Sequence, residues 1–432
     1  FATTLDPTLG PISLGILYLF WIISLLTIST SAVKFLSPKW AMLIGSLTYP
    51  LYVSAGIELG HHIFVILYFI ASALIGIGAG LVWVGESVFI VQCCNVHENI
   101  NDLSNNSKLG TFNGVFNLYL QLARFVGSLI AALIFQFDGS LTTMFIVMIV
   151  IGLCGSTTFA FIKKMDTTKP AKSAYYGRIK SHSVLRTETD TTEMEMETDN
   201  PAEIELEPVV DAVPTMQADA GEEAVTENGK ENADLSGFKK FKQEMKDIVL
   251  LWKNKTFLYL IPITFTFGLF TTFIAGDVAT LIIDHAFKFY VLTVQGGVAG
   301  LSSYIMGKGS DKWGSLYFIL ICFFVFNAVY IFFYFWEIDQ NAYWIWMVIA
   351  VLLGIGDGGI LCLVPQIYPI LLGDAGAVFA NMRILQSIGL GLGFAYYPIT
   401  TFQFRITFNI IFITLGTICV AFPKDIRNSL IV

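Results

Sequence analysis

The amino-acid sequence predicts an all-α integral membrane protein, built as a six-plus-six helix bundle of which eleven spans are visible. Three observations predict this. Of the 432 residues, 55% are hydrophobic and only 13% are charged, whereas soluble globular chains carry about 25% charged residues. Eleven apolar runs are each long enough to cross a bilayer, which requires about 20 residues. Five runs precede a long polar segment and six follow it, as in transporters built from two repeated halves.

The apolar runs define the expected organisation of the chain. They lie near residues 11–30, 41–57, 63–93, 110–135, 143–162, 257–283, 289–306, 316–335, 343–371, 374–398 and 403–422. They show no alternation of apolar and polar residues, so strands of a membrane barrel are excluded. Since only five runs precede the polar segment, we expect the first helix of the bundle to be missing from this sequence.

Five regions follow from these runs. We expect an N-terminal bundle of helices 2–6 at 1–163, a disordered acidic cytosolic loop at 164–237 and a basic amphipathic juxtamembrane helix at 238–255. A C-terminal bundle of helices 7–12 would occupy 256–423, and a cytosolic tail 424–432.

The acidic charge of the chain is concentrated in the central loop. Residues 188–234 hold 16 Asp and Glu and one basic residue, so the net charge of −8 becomes +7 outside them. A segment so polar and charged is predicted to be disordered. After it, apolar residues recur at helical spacing with lysines on the other face; they are Phe238, Phe241, Met245, Val249 and Trp252. This pattern predicts a helix lying on the cytosolic leaflet, or alternatively a simple lead-in to the next span.

The basic residues of the short loops predict the orientation. Cytosolic loops of membrane proteins carry an excess of Lys and Arg. Alternate loops hold Lys34, Lys39, Lys163, Lys164, Lys308, Lys312, Lys424 and Arg427, and the opposite loops hold Asp6, Glu58, Asp138, Glu337 and Asp339. The first set, with the central loop, is therefore predicted to be cytosolic. Because the basic residues are scattered at helix ends, they do not form a nucleic-acid surface.

Charged residues inside the spans are candidate functional residues, because a charge in the bilayer is costly. They are Glu86, Arg124, Asp277, Asp357 and Arg383. Asp357 lies at the middle of its run with Arg383 within reach on the next helix, so we expect these two to pair. Glu86 and Arg124 differ in depth by roughly 15 Å at a rise of ~1.5 Å per residue, too far for contact. Asp277 lies near the outer end of its helix and is expected to face an outer vestibule. For all these charges, a structural role and an ion or proton site both remain open.

A short motif occupies one predicted cytosolic loop. Gly307, Asp311, Lys312 and Gly314 fit the pattern Gly-x-x-x-Asp-Lys-x-Gly, which resembles the loop signature of the major facilitator superfamily. The glycines permit a tight turn. The carboxylate can lie against a helix N-terminus or a basic side chain of the neighbouring bundle. Breaking such contacts would accompany rocking of the two halves.

An internal repeat and several glycine-rich stretches support two homologous halves. Gly76-Ile77-Gly78 matches Gly354-Ile355-Gly356, and Ser37-Pro38-Lys39-Trp40 matches Ser310-Asp311-Lys312-Trp313. Because no strand precedes the glycines, they are not dinucleotide-binding loops. We expect them to allow close helix packing, with a ligand-driven hinge as the alternative.

The ninth and tenth runs carry a more specific resemblance. Gly354-Ile355-Gly356-Asp357 and the later stretch Ala377-Val378-Phe379-Ala380-Asn381-Met382-Arg383 resemble the uncoordinated-93 family. The similarity covers nearly the whole chain except the acidic loop. It implies the major facilitator fold, no enzyme activity and a role as partner of other membrane proteins. One subgroup of that family regulates a two-pore potassium channel complex, and another escorts nucleic-acid-sensing receptors out of the endoplasmic reticulum.

Three functions therefore compete. The first is a regulatory subunit of a potassium channel complex, more consistent with the plasma membrane than with an endomembrane. The second is an ion- or proton-coupled transporter using Asp277, Glu86 or Asp357, supported by fold analogy alone. The third is a chaperone that escorts other membrane proteins. We predict the lipid bilayer and potassium channel subunits or other membrane proteins as partners, and no catalytic, cofactor-binding or metal-binding residues.

Overall fold

The computed structural model describes residues 9–57, 62–104, 106–137, 140–163, 242, 245–336, 339, 341–373 and 376–431. These residues belong to one compact unit, formed by Phe1–Thr168 and Phe241–Val432. The predicted acidic loop at 164–237 lies outside the described residues, as does the beginning of the predicted amphipathic helix. Within the described ranges every regular element is helical, which confirms the predicted fold class.

The helices follow the order of the predicted runs. Before the central loop they are α1 Leu9–Thr27, α2 Ser29–Leu36, α3 Pro38–Ser46, α4 Thr48–Ala55, α5 His62–Ile100, α6 Leu109–Phe137 and α7 Leu141–Thr158. After it they are α8 Lys255–Thr272, α9 Ala279–Leu281, α10 His285–Trp313, α11 Ser315–Phe335, α12 Tyr343–Leu372, α13 Gly376–Tyr396, α14 Phe402–Ala421 and α15 Lys424–Leu430. Short 3₁₀ segments, Phe159–Phe161 and Tyr397–Ile399, extend α7 and α13.

All eleven predicted runs are helical over most of their described residues, but they do not form eleven continuous spans. Among the described residues, nine helices are long and apolar enough to cross a membrane, or ten if the bent pair α1–α2 counts as one span. That pair bends by 60°. At the bend Thr27 Oγ1 donates to the carbonyl of Ile23 at 2.6 Å, a side-chain-to-backbone bond that tends to bend helices.

The run predicted at 41–57 is the exception, because it divides into two short helices, α3 and α4, at Leu47. Pro50 lies in the first turn of α4. Proline has no N–H, so the backbone bond that would continue α3 into α4 cannot form at this position. Ser46 and Thr48 instead donate their hydroxyls to the carbonyls of Leu43 and Gly45, at 2.9 and 2.7 Å.

The repeat is visible at one junction in each half. Ser37, between α2 and α3, has φ 73° and ψ 155°, and Gly314, between α10 and α11, has φ 83° and ψ 156°. In the structure Ser37 is therefore equivalent to Gly314 of the second half, whereas the sequence match aligned it with Ser310. Glycine reaches this conformation without strain, whereas serine does not.

The two halves meet along several helix pairs. α6 lies along α10 and also contacts α12, while α13 packs against α1 and α5. Small residues permit the close approach: a Cβ on Gly307 would overlap the carbonyl oxygen of Gly110. Within the second half, a Cβ on Gly358 would overlap the carbonyl of Ala299. The packing role predicted for the glycine-rich stretches is confirmed at Gly78 and Gly354, where a Cβ would overlap the carbonyl oxygens of Gly45 and Gln295.

The start of the second half is tied to α13. Residues 245–251 are helical, and Ile248 is buried beside Ala380 and Ile384. Asn381 donates to the carbonyl of Ile248 at 3.0 Å and accepts a bond from Trp252 Nε1 at 2.8 Å. The predicted position of this helix on the cytosolic leaflet stays a prediction.

Candidate functional site

The central ion pair joins α6 of the first half to α12 of the second. Arg124 Nη1 lies 2.7 Å from Asp357 Oδ2. The same carboxylate oxygen accepts bonds from the side-chain amides of Gln121 and Gln295, at 2.9 and 2.8 Å. Asp357 thus connects three helices, α6, α10 and α12. Because its side chain is only 2% exposed, its charge depends on these donors for stabilisation.

Arg124 has a different environment from its partner. Its side chain is 38% exposed, and it lines a cavity of about 340 Å³ between the halves. The wall of this cavity also includes Ser128, Thr271, Ile274, Ala275, Ala279, Thr280, Lys288, Phe289, Leu292, Gln295 and Asp357. One member of the central pair is therefore buried, and the other is accessible from the cavity.

A second ion pair joins α5 to α13. Arg383 Nη2 lies 3.0 Å from Glu86 Oε2, and the two side chains are 3% and 7% exposed. Arg383 also donates to Gln386 Oε1 at 2.8 Å, and its guanidinium carbon lies 4.8 Å from the centroid of the Trp83 ring. A desolvated pair of this kind holds two helices firmly, because separating the charges would leave both in an apolar environment.

The loop motif forms a third connection between the halves. Gly307, Asp311 and Lys312 lie within α10, so the predicted loop is wrong except at Gly314, where φ is 83°. The Asp311 carboxylate accepts bonds from the backbone N–H groups of Gly110 and Thr111 at 2.8 and 2.7 Å. These residues begin α6, so the aspartate lies where the positive end of a helix favours negative charge. The sequence allowed either a helix N-terminus or a basic side chain as the partner of this carboxylate, and in the structure the partner is the helix N-terminus. Lys312 packs its ammonium 5.0 Å from the Trp313 ring.

Comparison with known proteins decides the family. A sequence model described as the Major Facilitator Superfamily matches residues 2–394. The chain belongs to the major facilitator superfamily. UNC93-like protein 3 of Arabidopsis thaliana is 28% identical over 170 residues, which cover 38% of this chain and 35% of the relative. The match thus spans about a third of the relative's length, and it confirms the resemblance seen in the sequence.

In this major facilitator superfamily protein the predicted pairing of Asp357 with Arg383 is wrong. Both residues bind first-half partners instead, Arg124 and Glu86. α12 and α13 are consecutive in sequence, but α12 packs against α6 of the first half and α13 packs against α5. Arg124 and Asp357 both lie near the middle of their helices, so equal depth was the signal that could have identified the pair.

The expected position of Asp277 in an outer vestibule is also wrong. The residue lies in a π-helical segment, Phe273–Val278, that continues α8. Its side chain is 4% exposed and pairs with Arg405 of α14 at 2.7 Å. Arg405 also donates to the carbonyls of Tyr397 and Thr400, at 3.0 and 2.6 Å. A wide π turn often marks a functional position in a helix, and Asp277 lies in such a turn.

Sequence reasoning missed Arg405 and Glu98. Arg405 is a basic residue near the predicted outer surface, where basic residues are otherwise few, and this imbalance was the available signal. Glu98 is 1% exposed and accepts bonds from the backbone N–H groups of Asn106 and Lys108, both at 2.8 Å. It thereby orders the loop that precedes α6, next to the contact made by Asp311. No local pattern marks Glu98, because its shortest bonds are to backbone N–H groups.

Among the described residues, no cluster of three or more His, Cys, Asp or Glu has the geometry to hold a metal ion. Three carboxylates of the described spans, those of Glu86, Asp277 and Asp357, each pair instead with an arginine. The function that these ion pairs serve in the protein stays a prediction.

Proposed function

We propose that this protein is a regulatory subunit of a potassium channel complex in the plasma membrane, with its central loop in the cytosol. The observation that supports the proposal is the pairing of the membrane carboxylates. Glu86, Asp277 and Asp357 each bind an arginine. Glu98 and Asp311 each bind backbone N–H groups. Within the described spans, no carboxylate is left without a partner to carry an ion or proton.

Such pairs suit a protein that changes conformation rather than one that carries cations. Two of the pairs, Arg124–Asp357 and Glu86–Arg383, and the contact of Asp311 all cross between the halves. Their formation or rupture would accompany a movement of one half against the other. A partner that contacts both halves could then sense or bias that movement. The resemblance to the uncoordinated-93 family, one subgroup of which regulates a two-pore potassium channel complex, supports such a channel as the partner.

Co-expression tests this function. Whole-cell potassium current from a two-pore channel is measured with and without the full-length protein, together with channel density at the cell surface. We expect a changed current at unchanged density. The double substitution Asp357→Asn with Arg124→Gln should abolish the change, whereas Lys308→Gln, at an exposed lysine of α10, should not. A changed density alone would indicate an escort function, and no change in either quantity would refute the proposal.

The cavity favours a second function, transport of a small solute. Its volume of about 340 Å³ lies within the range of small-molecule sites, about 300–1,000 Å³. It lies between the halves, where a rocking movement would alternate its access. Uptake of radiolabelled solutes into proteoliposomes tests this function. Accumulation that Asp357→Asn abolishes would support transport, and its absence across solute classes would exclude it.

A further inference from the structure

The cavity between the halves carries more positive than negative charge. Its charged lining residues are Arg124, Lys288 and Asp357. The single carboxylate is already bonded to Arg124 and to the amides of Gln121 and Gln295. The negative charge is thus neutralised inside the protein wall, and a net positive charge faces the cavity.

Lys288 is the basic lining residue that does not bind Asp357. It lies in the first turns of α10 and is half-buried in the cavity wall. Within the described part of the chain its ammonium has no hydrogen-bond or ion-pair partner. The nearest acidic residue on the same helix end, Asp284, caps α10 by accepting a bond from the N–H of Phe287 at 2.9 Å. A half-buried ammonium without a counter-ion favours binding of an anion, because the anion replaces lost hydration.

Arg124 supplies a second group of donors. Toward the described residues Arg124 uses only Nη1, which donates to Asp357 at 2.7 Å and to Gln295 at 3.5 Å. Nε and Nη2 have no partner among the residues that the structure describes, and the side chain is 38% exposed. A guanidinium with two free N–H edges binds carboxylate or phosphate oxygens in a fixed geometry.

The two cations line the same cavity. Lys288 precedes Gln295, which contacts Arg124, by two turns of α10, or about 10 Å along the axis. Ser128 and Thr271 add hydroxyl groups to the wall, while Ile274, Phe289 and Leu292 make it largely apolar. We propose that this cavity binds a small organic anion, a carboxylate or a phosphate monoester, whose acidic group lies between Lys288 and Arg124. This inference deepens the second function proposed above, because it names the class of solute.

Two sources could provide such an anionic group: a free metabolite or a lipid headgroup. The purified full-length protein is therefore placed in nanodiscs of phosphatidylcholine alone, or of phosphatidylcholine with phosphatidic acid. To the first sample we add a set of C3 to C6 mono- and dicarboxylates and glycerol phosphate, each against its neutral amide or alcohol. Binding is measured by calorimetry and by the shift of the unfolding temperature.

We expect at least one soluble anion to bind and its neutral counterpart not to bind. Lys288→Gln should weaken the affinity about tenfold or more, the effect of losing a charged hydrogen bond. Lys288→Arg should retain most of it. Lys308→Gln changes a lysine on the same helix, outside the cavity, and is the matched control. Since Lys288 has no partner in the described structure, its substitution should leave folding intact, unlike that of Arg124.

Three outcomes would overturn the proposal: no anion binds, neutral counterparts bind equally well, or Lys288→Gln has no effect. A shift caused only by phosphatidic acid and lost in Lys288→Gln would identify a lipid headgroup as the source. Anion binding without uptake into proteoliposomes would keep the site and exclude transport. Uptake of a neutral solute without anion binding would keep transport and exclude this site.

Discussion

The Glu86–Arg383 pair offers a direct measure of what holds the halves together. The charges lie 3.0 Å apart, and the two side chains are 7% and 3% exposed. Glu86→Gln leaves the Arg383 guanidinium buried beside Trp83 and Gln386 without a counter-ion. Arg383→Gln leaves a buried carboxylate with the hydroxyl of Ser87 at 3.1 Å. Each single substitution should lower the free energy of unfolding by about 3–5 kcal/mol, the cost of breaking one side of a buried pair.

The double substitution should cost less than the sum of the single ones. With Gln at both positions no charge is buried, and two neutral amides can bond to each other. We expect a coupling energy of at least about 2 kcal/mol between the two sites. Unfolding of the full-length protein by dodecyl sulfate in mixed micelles, followed by circular dichroism, measures all four free energies.

Lys308→Gln is the control for this cycle. It removes a charge at an exposed position of the same membrane domain, and it should change stability by no more than about 0.5 kcal/mol. The reasoning would be refuted if each single substitution cost less than about 1 kcal/mol, or if the double substitution cost the sum of both.

Three further predictions concern the helix ends. Ser37→Gly should raise the free energy of unfolding by about 1 kcal/mol and Gly314→Ala should lower it by about 1–2 kcal/mol, because both positions have positive φ. The same micelle titration measures both changes, and a change of the same sign in the two variants would contradict the prediction. Asp311→Asn should increase hydrogen exchange in the first turn of α6 by about tenfold, since the loss of a charged acceptor costs about 1.5 kcal/mol; unchanged exchange there would exclude the carboxylate as a cap. Asn381→Ala should increase hydrogen exchange at residues 245–254 about fivefold and leave that of α14 unchanged, because it removes the bonds to Trp252 and Ile248. Equal increases in both segments would indicate general destabilisation instead.

Hydropathy alone was sufficient to place the membrane segments. Each of the eleven predicted runs is helical over most of its described residues, because an apolar segment in lipid must satisfy its backbone groups within itself. The motif around Asp311 was readable in part: the sequence left a helix N-terminus and a basic side chain as possible partners of the carboxylate, and it predicted a loop where Gly307, Asp311 and Lys312 lie within α10. The division of the run at 41–57 was also readable in principle, because Pro50 is visible in the sequence.

The partners of the charged residues were decided by the tertiary structure. Asp357 and Arg383 are close in sequence and depth, yet each binds a helix of the other half. Asp277 was placed near the surface by residue counting, whereas the π-helical segment and Arg405 bury it. Hydropathy and spacing are local properties of one helix, and they contain no information about which faces of distant helices meet. That choice depends on the packing of the whole bundle, in which glycines set the distances between helices and each buried charge requires a partner.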